Sequence, residues 1–221
     1  MHTDSSEQVP FDPACRRCDR LAGFLDDVKR EHGEYHCRPV APFGDPAARL
    51  LIVGLAPGKH GANATGRPFT GDFAGILLYR TLHAFDFSSS PESRSLDDGL
   101  ILSRCRITNA VKCLPPENKP LTGEVKNCNG FLRAEIAALP RPALVLALGT
   151  VAHGAVLRAL GEVLNRYRFS HGALHEPGDG LRLLDSYHCS RYNTQTRRLT
   201  AERFSEVFET ARALLAEGES R

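Results

Sequence analysis

Four short apolar runs punctuate the chain: Leu50-Leu51-Ile52-Val53-Gly54, Ile107 to Val111, Ala143 to Leu148 and Leu181 to Leu184. Each reads as a strand buried on both faces, and each is followed by a loop or a helical pattern. Helical spacing of apolar positions covers Leu21 to Glu31, Asp72 to Phe85, Thr122 to Leu139, Thr150 to Leu160 and Thr200 to Ala216, with Thr122 and Thr200 placed as N-caps. Strands alternating with helices predict a three-layer α/β/α sandwich around a central, mostly parallel four-stranded sheet. Ligands of such sheets sit beyond the carboxyl ends of the strands, so the loops after Val53, Ile107 and Leu184 are expected to face one crevice.

Composition narrows the picture without deciding it. The 221 residues suit one well-filled domain spanning 1–221, with 1–13 expected to be flexible, and no repeat or linker divides them. The Ser-rich stretch Ser88 to Ser95 reads as a surface loop. No run approaches the roughly 18 apolar residues of a membrane helix, and the polar start is unlike a signal peptide. A cytoplasmic location is therefore expected. A formal net charge of +2 leaves a nucleic-acid partner open, because DNA binders carry their charge as a local face. Seven cysteines without a signal peptide point to thiols or metal ligands, not to a disulfide framework.

The chemistry gathers in the loops. The segment Gly54-Leu55-Ala56-Pro57-Gly58 through Gly66-Arg67-Pro68-Phe69-Thr70-Gly71-Asp72 holds five glycines and two prolines in nineteen residues, which lets backbone approach a ligand closely. Neither a Walker motif nor a dinucleotide fingerprint is present. Phe69 is either a core anchor or a platform for a planar ring. Asp72 stands where it would favour the dipole at a helix start. The loop from Ser186 to Thr200 is polar and cationic and carries Tyr192, a mix suited to phosphates and to a base stack as well as to a solvated turn. Asn109 closes the second strand; its amide can cap a turn or read a pyrimidine edge, having both donor and acceptors. Cys15-x-x-Cys18, Cys113 and Cys128 make a set of four thiols that suits either tetrahedral zinc or a [4Fe–4S] cluster. Cys37, Cys105 and Cys189 are left over and read as small buried hydrophobes. Isolated histidines such as His153, His171 and His175 receive no role.

The Gly-Leu-Ala-Pro-Gly loop running into Gly66-Arg67-Pro68-Phe69-Thr70-Gly71-Asp72, together with His188-x-Ser190, resembles the uracil-DNA glycosylase superfamily, specifically its family 5, the UDGb type. The insertion Lys59 to Thr65 draws the chain toward family 5 rather than the uracil-restricted family 4, and Cys189 stands where many relatives have proline. The resemblance implies base excision from DNA containing uracil or other deaminated or damaged bases, hypoxanthine and ethenocytosine among them, by flipping the nucleotide out of the stack. It implies that Phe69 stacks on the flipped base, that Asn109 reads its edge, and that Gly54, Ala56 and Gly58 line its far side. Asp72 would direct the attacking water and His188 would donate to the base oxygen. Ser190, Arg191, Tyr192 and Asn193 would contact DNA. The four thiols Cys15, Cys18, Cys113 and Cys128 would hold a [4Fe–4S] cluster in a monomeric, nucleoid-associated enzyme. The alternative from another class is a zinc-containing nucleic-acid-binding module without catalysis.

Overall fold

Alternate residues of an extended strand point to opposite faces, so an unbroken apolar run needs a hydrophobic layer on each side of its sheet. The computed structural model, which describes residues 9–217, supplies both layers. The elements run α1 (Asp19–Glu31), β1 (Phe43–Gly44), β2 (Leu50–Gly54), α2 (Ala62–Thr65), α3 (Phe73–Ala84), β3 (Cys105–Asn109), α4 (Thr122–Ala137), β4 (Ala143–Leu148), α5 (Thr150–Ala159), β5 (Leu174–Gly178), β6 (Leu181–Ser186), α6 (Arg191–Gln195) and α7 (Ala201–Glu217). Leu50 and Ile52 of β2 join Leu144, Leu146 and Leu148 of β4 in one core under α3 and α7. Leu51 and Val53 turn the other way, joining Val145 and Ala147 beneath α1, α4 and α5. The fold is therefore the expected α/β/α sandwich.

The sheet has six strands, not four, in the order β1-β3-β2-β4-β6-β5. The inner four are parallel, and β1 and β5 add antiparallel edges. Both additions lack an apolar signature. β1 is two residues long, and β5 reads Leu-His-Glu-Pro-Gly, with a proline that only an edge strand tolerates. β3 starts at Cys105, two residues before its predicted start, because Arg106 interrupts the apolar run. Its ladder with β2 still reaches past Asn109 through Ala110 N–H to Gly54 O and Val111 N–H to Leu55 O. Thr200 accepts from Arg203 N–H at 3.3 Å, the predicted cap of α7. Thr122 is not a cap: Leu121 holds that position and the Glu124 carboxylate takes its N–H at 2.7 Å. Of the stretch 1–13, residues 1–8 lie outside the described residues, while Val9 bonds to Gly130 O and Phe11 packs edge-on to Phe131 of α4. Among the described residues no helix is long and apolar enough to cross a membrane.

Candidate active site

The long β2–α3 loop is held from within. Arg67 is 2% exposed; its guanidinium pairs with Asp98 at 2.7 Å, donates to Ser93 Oγ and the Leu96 carbonyl, and lies over the Phe43 ring at 4.3 Å. Thr70 Oγ1 meets Ser93 Oγ at 2.7 Å, and the Tyr79 hydroxyl donates to Pro68 O at 2.9 Å. Gly75 allows α3 to close on the Phe69 carbonyl, since a Cβ there would sit 1.7 Å from that oxygen. Phe69 is thereby fixed at φ +56° with its ring buried. It lies over Gly54, where a Cβ would meet Phe69 Cζ at 2.5 Å and Asn109 Oδ1 at 2.4 Å. The His188 ring stacks near Phe69, with centroids 5.9 Å apart and planes 26° from parallel. Gly54, Phe69, Asn109 and His188 thus converge at the ends of β2, β3 and β6.

Asp72 has two faces. Oδ1 caps α3, accepting from Gly75 N–H at 2.9 Å, which fulfils the helix-start reading. Oδ2 faces Gly61 and Gly58, 2.7 and 3.6 Å from where their Cβ atoms would lie. Burial raises the Asp72 pKa above its ordinary value, against the lowering effect of the Gly75 and Ala74 N–H groups. Burial also pushes the His188 imidazolium down to about 4, so its ring is neutral at pH 7. His188 Nδ1 is buried without a partner, leaving Nε2 as the nitrogen that can serve the pocket.

The β6–α7 loop is tied by its polar side chains and exposed at two others. Ser190 Oγ caps α6 by accepting from Asn193 N–H, and Asn193 Nδ2 donates to His188 O at 2.8 Å. Arg191 lies over Phe73 at 5.6 Å, and Tyr192 is 70% exposed. Arg191 also borders an open groove that leads to Phe69 and Asp72 past Phe73, Ile76, Arg80 and Arg94. These last four were missed by sequence reasoning. The available signal was Phe73, Ile76 and Arg80 at i, i+3 and i+7, one face of α3 on which Phe73 and Ile76 stay half exposed.

Cys15, Cys18, Cys113 and Cys128 line one small cavity between α1, the end of β3 and α4. Burial, then the charge of the neighbouring thiols, pushes Cys113 up to about 12; burial pushes Cys128 up to about 11. Cys113 and Cys128 keep their protons until a cation takes up the charge. Four cysteine thiols on one cavity are the donor set of a [4Fe–4S] cluster and of a tetrahedral zinc alike. Lys112 N–H and Asn127 Nδ2 donate to Cys128 and Cys18 sulfur. The buried Lys112 ammonium bonds in turn to Asn109 O, Thr108 Oγ1 and Glu135, linking the thiols to the pocket. Cys105 and Cys189 lie buried elsewhere, whereas Cys37 belongs to a small buried cluster against which Cys113 packs.

A mostly parallel α/β/α sheet with Phe69 and His188 stacked at its carboxyl edge is the frame, and the chain belongs to the Uracil DNA glycosylase superfamily, whose profile matches residues 41–212. The type-5 grouping follows from its relatives. It is 48% identical over 206 residues to the Type-5 uracil-DNA glycosylase of Thermus thermophilus, covering 91% of this chain and 94% of that one. Identity to the Type-5 uracil-DNA glycosylase of Pyrobaculum aerophilum is 44% over 203 residues, 90% and 88% of the two chains. It falls to 27% for the Type-4 uracil-DNA glycosylase of Saccharolobus solfataricus, 86% of each chain being covered. The crystal structure of wild-type Pedobacter heparinus SMUG2 shares the fold, with a TM-score of 0.51, 13% identity and coverage of 95% of this chain and 94% of that one.

Proposed function

We propose that this protein hydrolyses the N-glycosidic bond of uracil, and of other deaminated or damaged bases including hypoxanthine and ethenocytosine, in DNA, as the first step of base-excision repair. The observation that carries the reading is the convergence of Phe69, Asn109 and His188 over the bare backbone of Gly54. A flipped pyrimidine loses its stacking and pairing partners. Phe69 replaces the first, the Asn109 amide replaces the second, and Gly54, Ala56 and Gly58 line the remaining wall. As the bond breaks, positive charge grows on the sugar and negative charge on the base oxygen. The neutral His188 donates a hydrogen bond from Nε2 to that oxygen. Asp72, its Oδ1 held by the helix start, uses Oδ2 to direct water onto the sugar. Arg191 meets backbone phosphate, Tyr192 fills the space vacated in the duplex, and Ser190 and Asn193 complete the DNA contact while holding the loop in shape.

The cavity that the four thiols share and the N–H donors toward two of them support a [4Fe–4S] cluster held by Cys15, Cys18, Cys113 and Cys128. The cluster ties α1 and α4 to the strand end that carries Asn109. The enzyme acts as a monomer in the cytoplasm, at the nucleoid. The test is single-turnover release of base from oligonucleotides carrying uracil, hypoxanthine or ethenocytosine, with iron, zinc and the visible spectrum recorded on the same sample. Release of uracil and of either other base by a brown, iron-containing protein is expected. Release of uracil alone returns the narrower family 4 specificity. A colourless protein that holds zinc without iron and releases no base overturns the reading in favour of a binding module.

A further inference from the structure

On the side of β6 away from the DNA groove, three side chains from three elements converge: His153 of α5, His175 of β5 and Asp185 of β6. One ligand atom from each lies within 4.8 Å of the other two. Asp185 is fully buried and His153 is 5% exposed, whereas the His175 side chain keeps 12% exposure. The two carboxylate oxygens are divided between the rings, with His153 Nδ1 at 2.8 Å from Oδ1 and His175 Nε2 at 3.0 Å from Oδ2.

The second nitrogen of His153 fixes the chemistry. His153 Nε2 lies 3.0 Å from the Tyr167 carbonyl, which can only accept, so Nε2 carries the proton. In the neutral ring Nδ1 is then a lone pair, aimed at a buried carboxylate that is itself only an acceptor. Two acceptors at 2.8 Å need a proton or a metal ion between them. The proton gives a buried ion pair whose desolvation offsets its attraction. An imidazole that gives its far N–H to a backbone carbonyl, as His153 does to Tyr167, has the outer-shell arrangement of a metal ligand.

We propose that His153 Nδ1, His175 Nε2 and Asp185 form a second metal site, for a divalent transition ion of the Zn²⁺ class. The mixed imidazole and carboxylate set suits borderline ions and not Mg²⁺ or Ca²⁺. Three protein ligands leave a fourth position for water on the side of His175, the partly exposed member. Phe169 and Tyr167, whose rings pack against His153 and His175, exclude water from the other sides. The ion pins the edge strand β5 and helix α5 to β6 three residues before His188, and so steadies the strand end from which the catalytic loop departs. It is independent of the thiol site.

The experiment uses the complete protein with its iron site filled, dialysed against Zn²⁺ and then against metal-free buffer. Zinc, iron and sulfide are counted in the wild type and in His175→Ala, chosen because an edge-strand residue is the ligand whose loss the fold best tolerates. The wild type should retain one zinc more than the variant at equal iron and sulfide. At Zn²⁺ 100-fold above its Kd, the wild-type melting temperature should rise by about 5–10 °C, and the variant should not respond. Equal zinc in the two proteins, or a wild-type melt that Zn²⁺ leaves unchanged, overturns the proposal and leaves His153 as a proton-carrying imidazolium on Asp185. The wild-type melt decides the matter even where the variant does not fold.

Discussion

The two loops that frame the pocket are built on opposite plans. The β2–α3 loop turns its charge inward: Arg67 is held by Asp98, Ser93, the Leu96 carbonyl and the Phe43 ring, in the loop that carries Phe69 at φ +56° with its ring buried. The β6–α7 loop spends its neutral polar groups on its own backbone, through Ser190 and Asn193, and leaves Arg191 and Tyr192 on the outside. The first plan suits chemistry, where small displacements from the reactive geometry are costly. The second suits contact with a large charged partner, where adaptable side chains are enough. Substitutions in the first loop should therefore alter turnover or folding, and those in the second should alter affinity.

The largest expected effect belongs to Asp72→Asn. Asparagine caps helices as well as aspartate, so α3 and DNA affinity should persist while single-turnover cleavage falls by about 100- to 10,000-fold, the range for a lost general base. The pH profile sharpens the point. A carboxylate whose pKa is raised loses its charge as pH falls through that raised value, so the acid limb of wild-type cleavage should lie above the ordinary aspartate range and vanish in the variant. His188, neutral down to about pH 4, should add no limb near 6.5. Its depressed pKa carries the opposite burden for stability: the unfolded chain takes up a proton near pH 6.5, so the His188 contribution is complete above that pH and is lost as pH falls from 6.5 toward 4. Near-wild-type cleavage by Asp72→Asn would return Asp72 to its cap alone.

Arg67→Ala comes next and should register in folding. Removing one partner of a buried pair leaves Asp98 short of its counter-charge, at a cost of about 3–5 kcal/mol, read as a lower denaturation midpoint at unchanged slope. A variant as stable as wild type would show that the inward-turned charge is not what holds the loop.

How much of this was legible before the fold was known follows from the same contrast. The motif loop announced itself because close backbone approach demands glycine, and Gly54, Gly61 and Gly75 stand where a Cβ would strike Phe69, Asn109 or Asp72. The central strands β2 and β4 were legible because burial on both faces leaves them no polar position, and β3 and β6 kept a shorter apolar run beside Arg106 and Arg182. The edges were not: β5 needs only one covered side, and its Leu-His-Glu-Pro-Gly sequence looks like a turn. Lys112 was also opaque, since nothing in a lysine's neighbours along the chain tells that Glu135, 23 residues on, will bury it. Arg80 and Arg94 join the groove only because α3 and the serine-rich loop meet in space. The same holds for His153, His175 and Asp185, whose convergence depends on the edge strand that the sequence hid.

Tyr192→Ala should produce a smaller and more selective loss. A side chain that fills the gap left by a flipped nucleotide matters only where a partner strand keeps the gap open. Cleavage of duplex substrate should fall roughly tenfold, about 1.4 kcal/mol, while single-stranded substrate is cleaved at close to the wild-type rate. Equal losses on both would remove Tyr192 from the role of wedge and make it a general stacking surface.

The smallest effect, and the one that separates the two plans most directly, is that of Arg191→Ala. Arg191 makes no ion pair with any described side chain and rests on the half-exposed Phe73, so its charge stays available at the groove. Each phosphate that a cation neutralises releases condensed counterion, and the slope of log Kd against log salt changes by about 0.9 for each such contact on duplex DNA. Losing Arg191 should flatten that slope by about one unit, with little change in the cleavage rate of bound substrate or in the melting temperature. Arg67 predicts the reverse: under conditions where Arg67→Ala remains folded its salt slope should match wild type, because a guanidinium already paired with Asp98 has no counterion to release. If both variants flatten the slope equally, Arg67 reaches the DNA despite its burial, and the division between an inward-facing and an outward-facing loop fails.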